Sequence, residues 1–281
     1  MIHSISEPSA APAQTSHRRR RALVPAVVAA AALMGALVTG CSSSDSGSTS
    51  TTSAGAPATG PLPDGAQLIA ESSRTTQTLQ SVHLDLQVTN IPNLPVDYVK
   101  ADITNQPQGS GQALGEAKVR VKENDPTWTE TKFLVVDKTL YAGDGTKYAP
   151  VGPAEKIYDP GVILDKDKGI AHVIAEVQNP KAEARETIDG VNTVKVTGTI
   201  DTAVIDPVVP RIGQTAGVLP ITLWIADVAP PTTSASALPS SAASPGTGPN
   251  LVRAVVTKDA GNVNLTLSGW GKPVTVAKPA G

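Results

Sequence analysis

From Ser81 onward the apolar residues fall on every second position, and this pattern limits the fold more than any other feature of the chain. Val82, Leu84, Leu86 and Val88 share one face, while His83, Asp85 and Gln87 share the other. That is the pattern of a strand with one dry side and one wet side. It recurs at Tyr98–Thr104, at Ala117–Val121, at Trp128–Val136 and at Thr139–Ala142. Gly143-Asp144-Gly145-Thr146 then supplies a hairpin turn before Lys147–Val151. Further strands are expected at Thr187–Ile188, Thr193–Ile200, Leu219–Ala226, Leu251–Thr257 and Asn262–Leu267.

Helical signals are fewer. Asp64 with Gln67 three residues on makes a capping-box pattern ahead of Leu68, Ile69, Ser72, Thr76 and Leu79. Ile170, Val173, Ile174 and Val177 sit at i, i+3, i+4 and i+7, with Pro180 just past the end. A short Ala203–Ile205 helix runs into Pro207 and Pro210. Strands joined by local turns, with a few helices inserted, define an α+β domain and not a doubly wound one.

The N-terminus carries a different message. Arg18, Arg19, Arg20 and Arg21 precede a run from Ala22 to Val38 that is almost wholly Ala, Val and Leu, the charged and apolar regions of a secretory signal. The run ends in Leu37-Val38-Thr39-Gly40-Cys41, a lipobox. A lipid-transferring enzyme needs a thiol to alkylate, and the peptidase that follows needs small residues before it. Cys41 is the only cysteine in the chain. The apolar run is long enough for an uncleaved membrane span, which takes roughly 20 residues, but the lipobox decides for cleavage. The expectation is a signal peptide over residues 1–40 and lipidation (a palmitate among the acyl chains) at Cys41. That places the chain at the cell membrane, lipid-anchored on its outer, periplasm-like face. Residues 41–63, rich in Ser, Thr and Gly, read as a flexible tether with a root-mean-square reach of about 25 Å. The domain proper is expected over residues 64–281.

Composition narrows the function. Residues 1–40 hold four of the 23 Lys+Arg and one of the 25 Asp+Glu, so the mature chain has 19 basic and 24 acidic residues. A mildly acidic surface argues against nucleic acid as a partner. With Cys41 acylated no thiol remains for disulfides, so the domain depends on its core. Aromatic residues make up only 3% of the chain, so aliphatic side chains must line the interior.

A search for chemistry mostly fails. His83 is expected to be solvated, and His172 to pair on the surface with Glu176 one turn on. Two distant histidines without a cysteine make no transition-metal site. Asp165, Asp167 and Glu176 fall at EF-hand spacing, but Gly169 and Ile170 occupy positions that need a ligand and a glycine. A charged helix entry capped by Asp167 is the reading preferred. Gly109-Ser110-Gly111 with Gly115 is not a dinucleotide fingerprint, and no nucleophile elbow or P-loop is present. The sequence advertises no enzyme, no cofactor and no metal. The Pro-, Ser- and Thr-rich stretch at 227–249 reads as a disordered excursion between two strands.

Beyond these patterns, several short stretches resemble a known family. They are Ser81-Val82-His83, Gly152-Pro153-Ala154 with Ile157-Tyr158-Asp159-Pro160, Ile188-Asp189-Gly190, Val196-Thr197-Gly198, Leu223-Trp224-Ile225, and Leu265-Thr266-Leu267-Ser268-Gly269-Trp270-Gly271. In order and across the whole mature domain, the chain resembles the LppX/LprA/LprF/LprG family of mycobacterial lipoproteins, most of all its LprF branch. The resemblance implies a strongly bent antiparallel sheet, a half-barrel, with helices over its concave face and an apolar cavity between. The cavity of such proteins takes the acyl chains of di- or triacylated glycolipids or glycerolipids. From the alternation, Val82, Leu84, Leu86, Ala117, Val119, Val121, Phe133 and Val135 are the candidates for the cavity wall, with closed core as the other reading of each. The implied function is a lipid carrier for cell-envelope assembly. The alternative is an accessory or sensor lipoprotein that docks on a membrane transporter or sensor kinase, with lipid as a structural ligand.

Overall fold

The computed structural model describes residues 60–107, 111–120, 126–213, 217–228 and 248–279. The leader, Cys41, the tether up to residue 59, Val121 and residues 229–247 of the long loop lie outside them. Helix α1 spans Gly65–Gln77, and Asp64 caps it by accepting the Gln67 N–H at 2.9 Å. Among the described residues the reciprocal half of the expected capping box does not form. The Gln67 amide instead donates to Glu71 Oε1, one turn further along. The buried face of α1 holds Leu68 and Ile69 but also Ser72, Ser73 and Thr76. Small hydroxylated side chains let a second helix come close, and the Ser73 hydroxyl donates to the Ala171 carbonyl at 2.7 Å.

Six strands follow in an up-and-down meander: β1 (Ser81–Thr89), β2 (Val96–Thr104), β3 (Gln112–Val119), β4 (Thr129–Val136), β5 (Thr139–Gly143) and β6 (Tyr148–Pro153). Two 3₁₀ segments (Ala154–Lys156 and Pro160–Leu164) and α2 (Ile170–Ala175) lead to a second meander. It contains β7 (Gln178–Ile188), β8 (Val191–Asp201), the short α3 (Thr202–Ile205), β9 (Val218–Ala226), β10 (Leu251–Lys258) and β11 (Gly261–Ser268). Among the described residues eleven strands form one antiparallel sheet in the order β6-β5-β4-β3-β2-β1-β11-β10-β9-β8-β7, which does not close. The first and last strands therefore meet at its centre, and the two meanders end at opposite edges. Residues 154–177 must carry the chain from one edge to the other. They cross one face: Pro160–Leu164 packs on β2 and β3, α2 packs on α1, and α1 reaches β7.

Three elements differ from the sequence pattern for physical reasons. Strand β3 begins at Gln112, not Ala117, because Gly115 is a place where two strands approach closely and not a break. Strand β7 begins at Gln178, where the helical pattern was expected to run through Val177, and it contains Pro180. At a sheet edge a missing N–H costs no ladder bond. Lys181, Glu183 and Arg185 alternate with Ala182 and Ala184, but alanine marks a buried face weakly, and two register shifts interrupt the pairing. Arg185 also ties down the edge, donating to the carbonyls of Gly60 and Pro61 and pairing with Asp227 at 2.7 Å. Finally, Asp165 and not Asp167 caps the entry to α2. It accepts the backbone N–H groups of Asp167 and Lys168, while Gly169 holds the N-cap position with no side-chain bond.

Candidate lipid-binding face

Cross-strand register decides which side chains share a face. Val82 lies opposite Ile103, Leu84 opposite Ala101 and Leu86 opposite Val99. Ala113, Gly115 and Ala117 continue that face onto β3, and Val135, Phe133 and Thr131 continue it onto β4. Every described wall candidate, Val119 included, thus points to the side crossed by the helices. Val82, Leu84, Leu86 and Val135 belong to one buried cluster with Leu68 and Ile69 of α1, Ile163 of the second 3₁₀ segment, and Ile170 and Ile174 of α2. Phe133 packs against that cluster half-buried. Ala117 is buried and Val119 half-buried, but neither is part of the cluster. Val121 lies outside the described residues.

On β1, β2 and β4 exposure rises along this face toward one end. On β1 it rises from 1% at Val82 through 3% at Leu84 to 7% at Leu86, and Val88 is half-buried. On β2 Ile103 and Ala101 are buried while Val99 and Val96 are half-buried. On β4 Val135 is buried, Phe133 and Thr131 are half-buried and Thr129 is exposed. The face therefore opens toward the end of the sheet where β1 turns into β2. The same end is closed over β10, where the segment after α3 buries Val208 and Ile212, and Lys258 Nζ donates to the Ile212 carbonyl at 2.6 Å.

A cleft of about 380 Å³ lies at the open end, lined by Val88, Asn90, Ile91, Pro92, Val96, Asp97, Arg120 and Trp128. The Arg120 guanidinium stacks on Trp128, 4.6 Å from its ring centre. It also donates to the carbonyls of Pro92 and Leu94, so it clamps the β1–β2 connection. Asp97 pairs with Lys118 at 3.0 Å, and that hydrogen bond pushes the Lys118 ammonium up. The sequence pattern did not single out this constellation. Its signal was one of only three tryptophans in an aromatic-poor chain, placed across from an arginine on the polar side of two strands.

The opposite face of the sheet holds a second cleft of about 460 Å³, where the C-terminal segment from Gly269 runs over β1 and β2. His83 is hydrogen-bonded there to Asp102, Nδ1 to Oδ1 at 2.8 Å, where a solvated side chain was expected. Ser268 lies opposite His83 on β11, so Asp102, His83 and Ser268 form a row. No hydrogen bond joins His83 to Ser268 among the described residues, and Ser268 sits on a regular strand, not a strained turn. His172 and Glu176 make no ion pair among the described residues; the Glu176 N–H caps α2 on the His172 carbonyl. No cluster of three or more His, Cys, Asp or Glu side chains suited to a metal occurs among the described residues. None of the described helices is long and apolar enough to cross a membrane.

Comparison with known proteins places this architecture. The model of the LppX_LprAFG lipoprotein family matches residues 64–276. LprF of Mycobacterium bovis, named as a diacylated glycolipid transporter, is 52% identical over 231 residues, 82% of this chain and 84% of that protein. The lipoarabinomannan carrier protein LprG of Mycolicibacterium hassiacum is 35% identical over 248 residues, 87% of this chain and 93% of that one. The crystal structure of LprF from Mycobacterium bovis superposes with a TM-score of 0.69 at 53% identity. It covers 79% of this chain and 99% of the crystallised one. By family match and by identity over most of its length, the chain belongs to the LppX_LprAFG lipoprotein family.

Proposed function

We propose that this protein is a membrane-anchored carrier that holds the acyl chains of a di- or triacylated glycolipid or glycerolipid and presents it for cell-envelope assembly. The observation that carries this reading is the opening of the apolar face toward one end, seen on β1, β2 and β4. Half-buried Val88, Val96, Val99, Val119 and Phe133 there form a dry surface that the helix layer leaves accessible. A sixteen-carbon acyl chain exposes on the order of 12 kcal/mol of apolar surface to water, at about 0.8 kcal/mol per methylene. A dry surface continuous with the core offsets that cost. The names of LprF and LprG support a lipid as the ligand.

In this reading the sheet is the bent half-barrel of the family with its helices on the concave side, and chains enter at the open end. They displace the helix layer from the packed residues Val82, Leu84 and Val135, which become the deep wall of the cavity. Acyl chains on Cys41 hold the protein on the outer leaflet, and the Ser/Thr/Gly-rich tether lets the domain reach away from it. Two or three chains anchor durably where one does not.

Native mass spectrometry tests the proposal. The domain starting at Gly60, made in a mycobacterial host and purified without added lipid, is expected to carry a mass consistent with an acylated lipid. A preparation that carries none, and that takes up no synthetic dipalmitoylglycerol, overturns it.

A further inference from the structure

We propose that the face of the sheet turned away from the helices is an interface between two copies of this chain, related by a two-fold axis that runs along the strands over Thr266. The inference does not depend on what lipid the protein carries. It rests on one cross-strand row. Thr266 of β11 lies between Arg253 on β10 and Asp85 on β1. Beyond Arg253 the row continues to Trp224 and then Lys195. Beyond Asp85 it continues to Lys100 and then Glu116. Alternation sets all of them on the side opposite Leu84, Leu86 and Leu265, which belong to the core.

The row is open to solvent. Side-chain exposure is 44% at Lys100, 34% at Asp85 and 29% at Arg253, and Glu116 is exposed. The C-terminal segment crosses this face one row away, at the level of His83 and Asp102. The two central charges are poorly met within one chain. Asp85 reaches Lys100 only at 3.9 Å, and Arg253 reaches Asp189 only at 3.6 Å, both beyond hydrogen-bond length. Asp85 Oδ1 and Arg253 Nε have no hydrogen-bond partner among the described residues.

Charge order selects the occupant. A two-fold axis along the strands makes each row face itself in reverse. Arg253 then faces the partner's Asp85, and Asp85 faces the partner's Arg253. Trp224 meets the partner's Lys100, a cation over an indole, and Lys195 meets the partner's Glu116. One row further toward the open end, Lys181 of β7 and Glu130 of β4 both stand four strands from β11, so they meet by the same count. Neither row sets like charges against each other. The surface that fits this row carries its charges in the opposite order, and a second copy presents that order. An isologous contact makes each pair twice. Packed sheets lie about 10 Å apart with their strands nearly aligned, a gap that these long side chains bridge. The same axis points both open ends one way and holds both tether roots, fixed at Gly60 by Arg185, at one level, as two chains anchored in one bilayer require.

Cross-linking of the full chain in isolated membranes of a mycobacterial host tests the interface. Thr266→Cys puts a thiol on the axis. Glu116→Cys puts one three strands away, about 30 Å from its copy at about 4.8 Å per strand. With a bismaleimide that spans about 10 Å, Thr266→Cys is expected to give a dimer of this chain. Glu116→Cys is not, nor is the parent chain, whose one cysteine is Cys41. Adding Asp85→Arg or Arg253→Asp to Thr266→Cys sets like charges face to face and is expected to cut the yield at least about tenfold. Both reversals in one chain, or co-expression of the two single reversals, are expected to restore it, which a folding defect would not allow. Equal yields from Thr266→Cys and Glu116→Cys, or a yield that ignores the reversals, overturn the dimer. Absence of any adduct overturns it as well. An adduct of the Thr266→Cys chain with a different protein gives the face to another partner and overturns the second copy.

Discussion

Gly115 on β3 faces Ala101 on β2 so closely that a Cβ on the glycine would lie 2.8 Å from the Ala101 Cα, and closer still to the Lys100 carbonyl oxygen. A second close approach lies nearby. A Cβ on Gly111 would sit 2.5 Å from the Cα of Gly161, in the 3₁₀ segment that crosses the sheet. Small residues along β2 and β3 thus let the crossing segment lie low on the face at its packed end. The larger Val96, Val99, Val119 and Phe133 stand at its open end.

Gly115→Ala tests this contact through the sign of its effect. Replacing a glycine in ordinary extended conformation stabilises by about 0.4–1 kcal/mol through the unfolded chain. At Gly115 the added methyl must push backbone aside, at a cost of about 1–3 kcal/mol. The expected outcome is a fall in Tm of roughly 3–10 °C. An unchanged or raised Tm would show that the two strands are not so close.

Tyr158 joins the crossing link to the segment that follows α3: its hydroxyl donates to the Val208 carbonyl at 3.0 Å, and burial pushes the phenol up. Tyr158→Phe keeps the ring and leaves that carbonyl without its donor, which costs about 1–2 kcal/mol. Thermal melting is expected to show a drop of about 2–8 °C. No change would mean that water replaces the hydroxyl without loss.

In the hairpin between β5 and β6 one exposed carboxylate ties the stability of the turn to pH. Asp144 accepts the backbone N–H of Thr146, the Thr146 hydroxyl and the backbone N–H of Lys147, at 2.7–2.8 Å. The Lys147 N–H first, then the Thr146 groups, hold its carboxyl at about 2, down from an ordinary 3.8. A carboxylate depressed on folding stabilises fully above its unfolded value, and that contribution disappears as the pH falls through its folded value. The Tm gap between wild type and Asp144→Ala is therefore expected to be constant above about pH 5 and to narrow from about pH 4 toward pH 2. A gap independent of pH across that range would assign the effect to the turn backbone and not to the charge.

The alternation of β1, β10 and β11, the Gly143–Thr146 turn and the Asp64 cap were all legible in the sequence, because each depends on neighbours a few residues away. Of strand β7 only the end, Thr187–Ile188, was legible: upstream, Lys181, Glu183 and Arg185 alternate with Ala182 and Ala184, but alanine is too weakly apolar to mark a buried face and Pro180 reads as a break that only a sheet edge tolerates. The candidate wall shows the same limit. Period two says that Val82, Ala117 and Phe133 share a side, but not which of them a distant element covers. Burial of Val82 depends on Leu68 and Ile69 of α1 and on Ile163, Ile170 and Ile174 of the crossing link, none of them a near neighbour in sequence. The Trp128–Arg120 pair likewise appears only when β3 and β4 are laid side by side.

Cys41→Ala addresses the anchor, which the lipobox alone motivates. The variant is expected to accumulate as an unprocessed precursor that takes up no clickable fatty acid, while wild type is labelled and runs at the mature size. Undiminished labelling of the variant would sink the assignment.

The last test separates a groove from a closed core. Ala117 is 6% exposed and is flanked by Val99 on β2 and Thr131 on β4, one side-chain step from the half-buried Val119. It lies outside the cluster that joins sheet to helices. In a close-packed core Ala117→Trp would overpack and cost about 1–3 kcal/mol or more. On a face that opens to receive acyl chains, the indole has volume to enter and the domain stays folded. It then occupies the space of several methylenes, so lipid is excluded. The expected outcome is a Tm within about 3 °C of wild type, with loss of most co-purifying lipid by native mass spectrometry. A folded variant with undiminished lipid shows that Ala117 does not border the acyl chains. A variant that melts far lower shows that β2, β3 and β4 enclose a packed core at this position and that the lipid lies elsewhere.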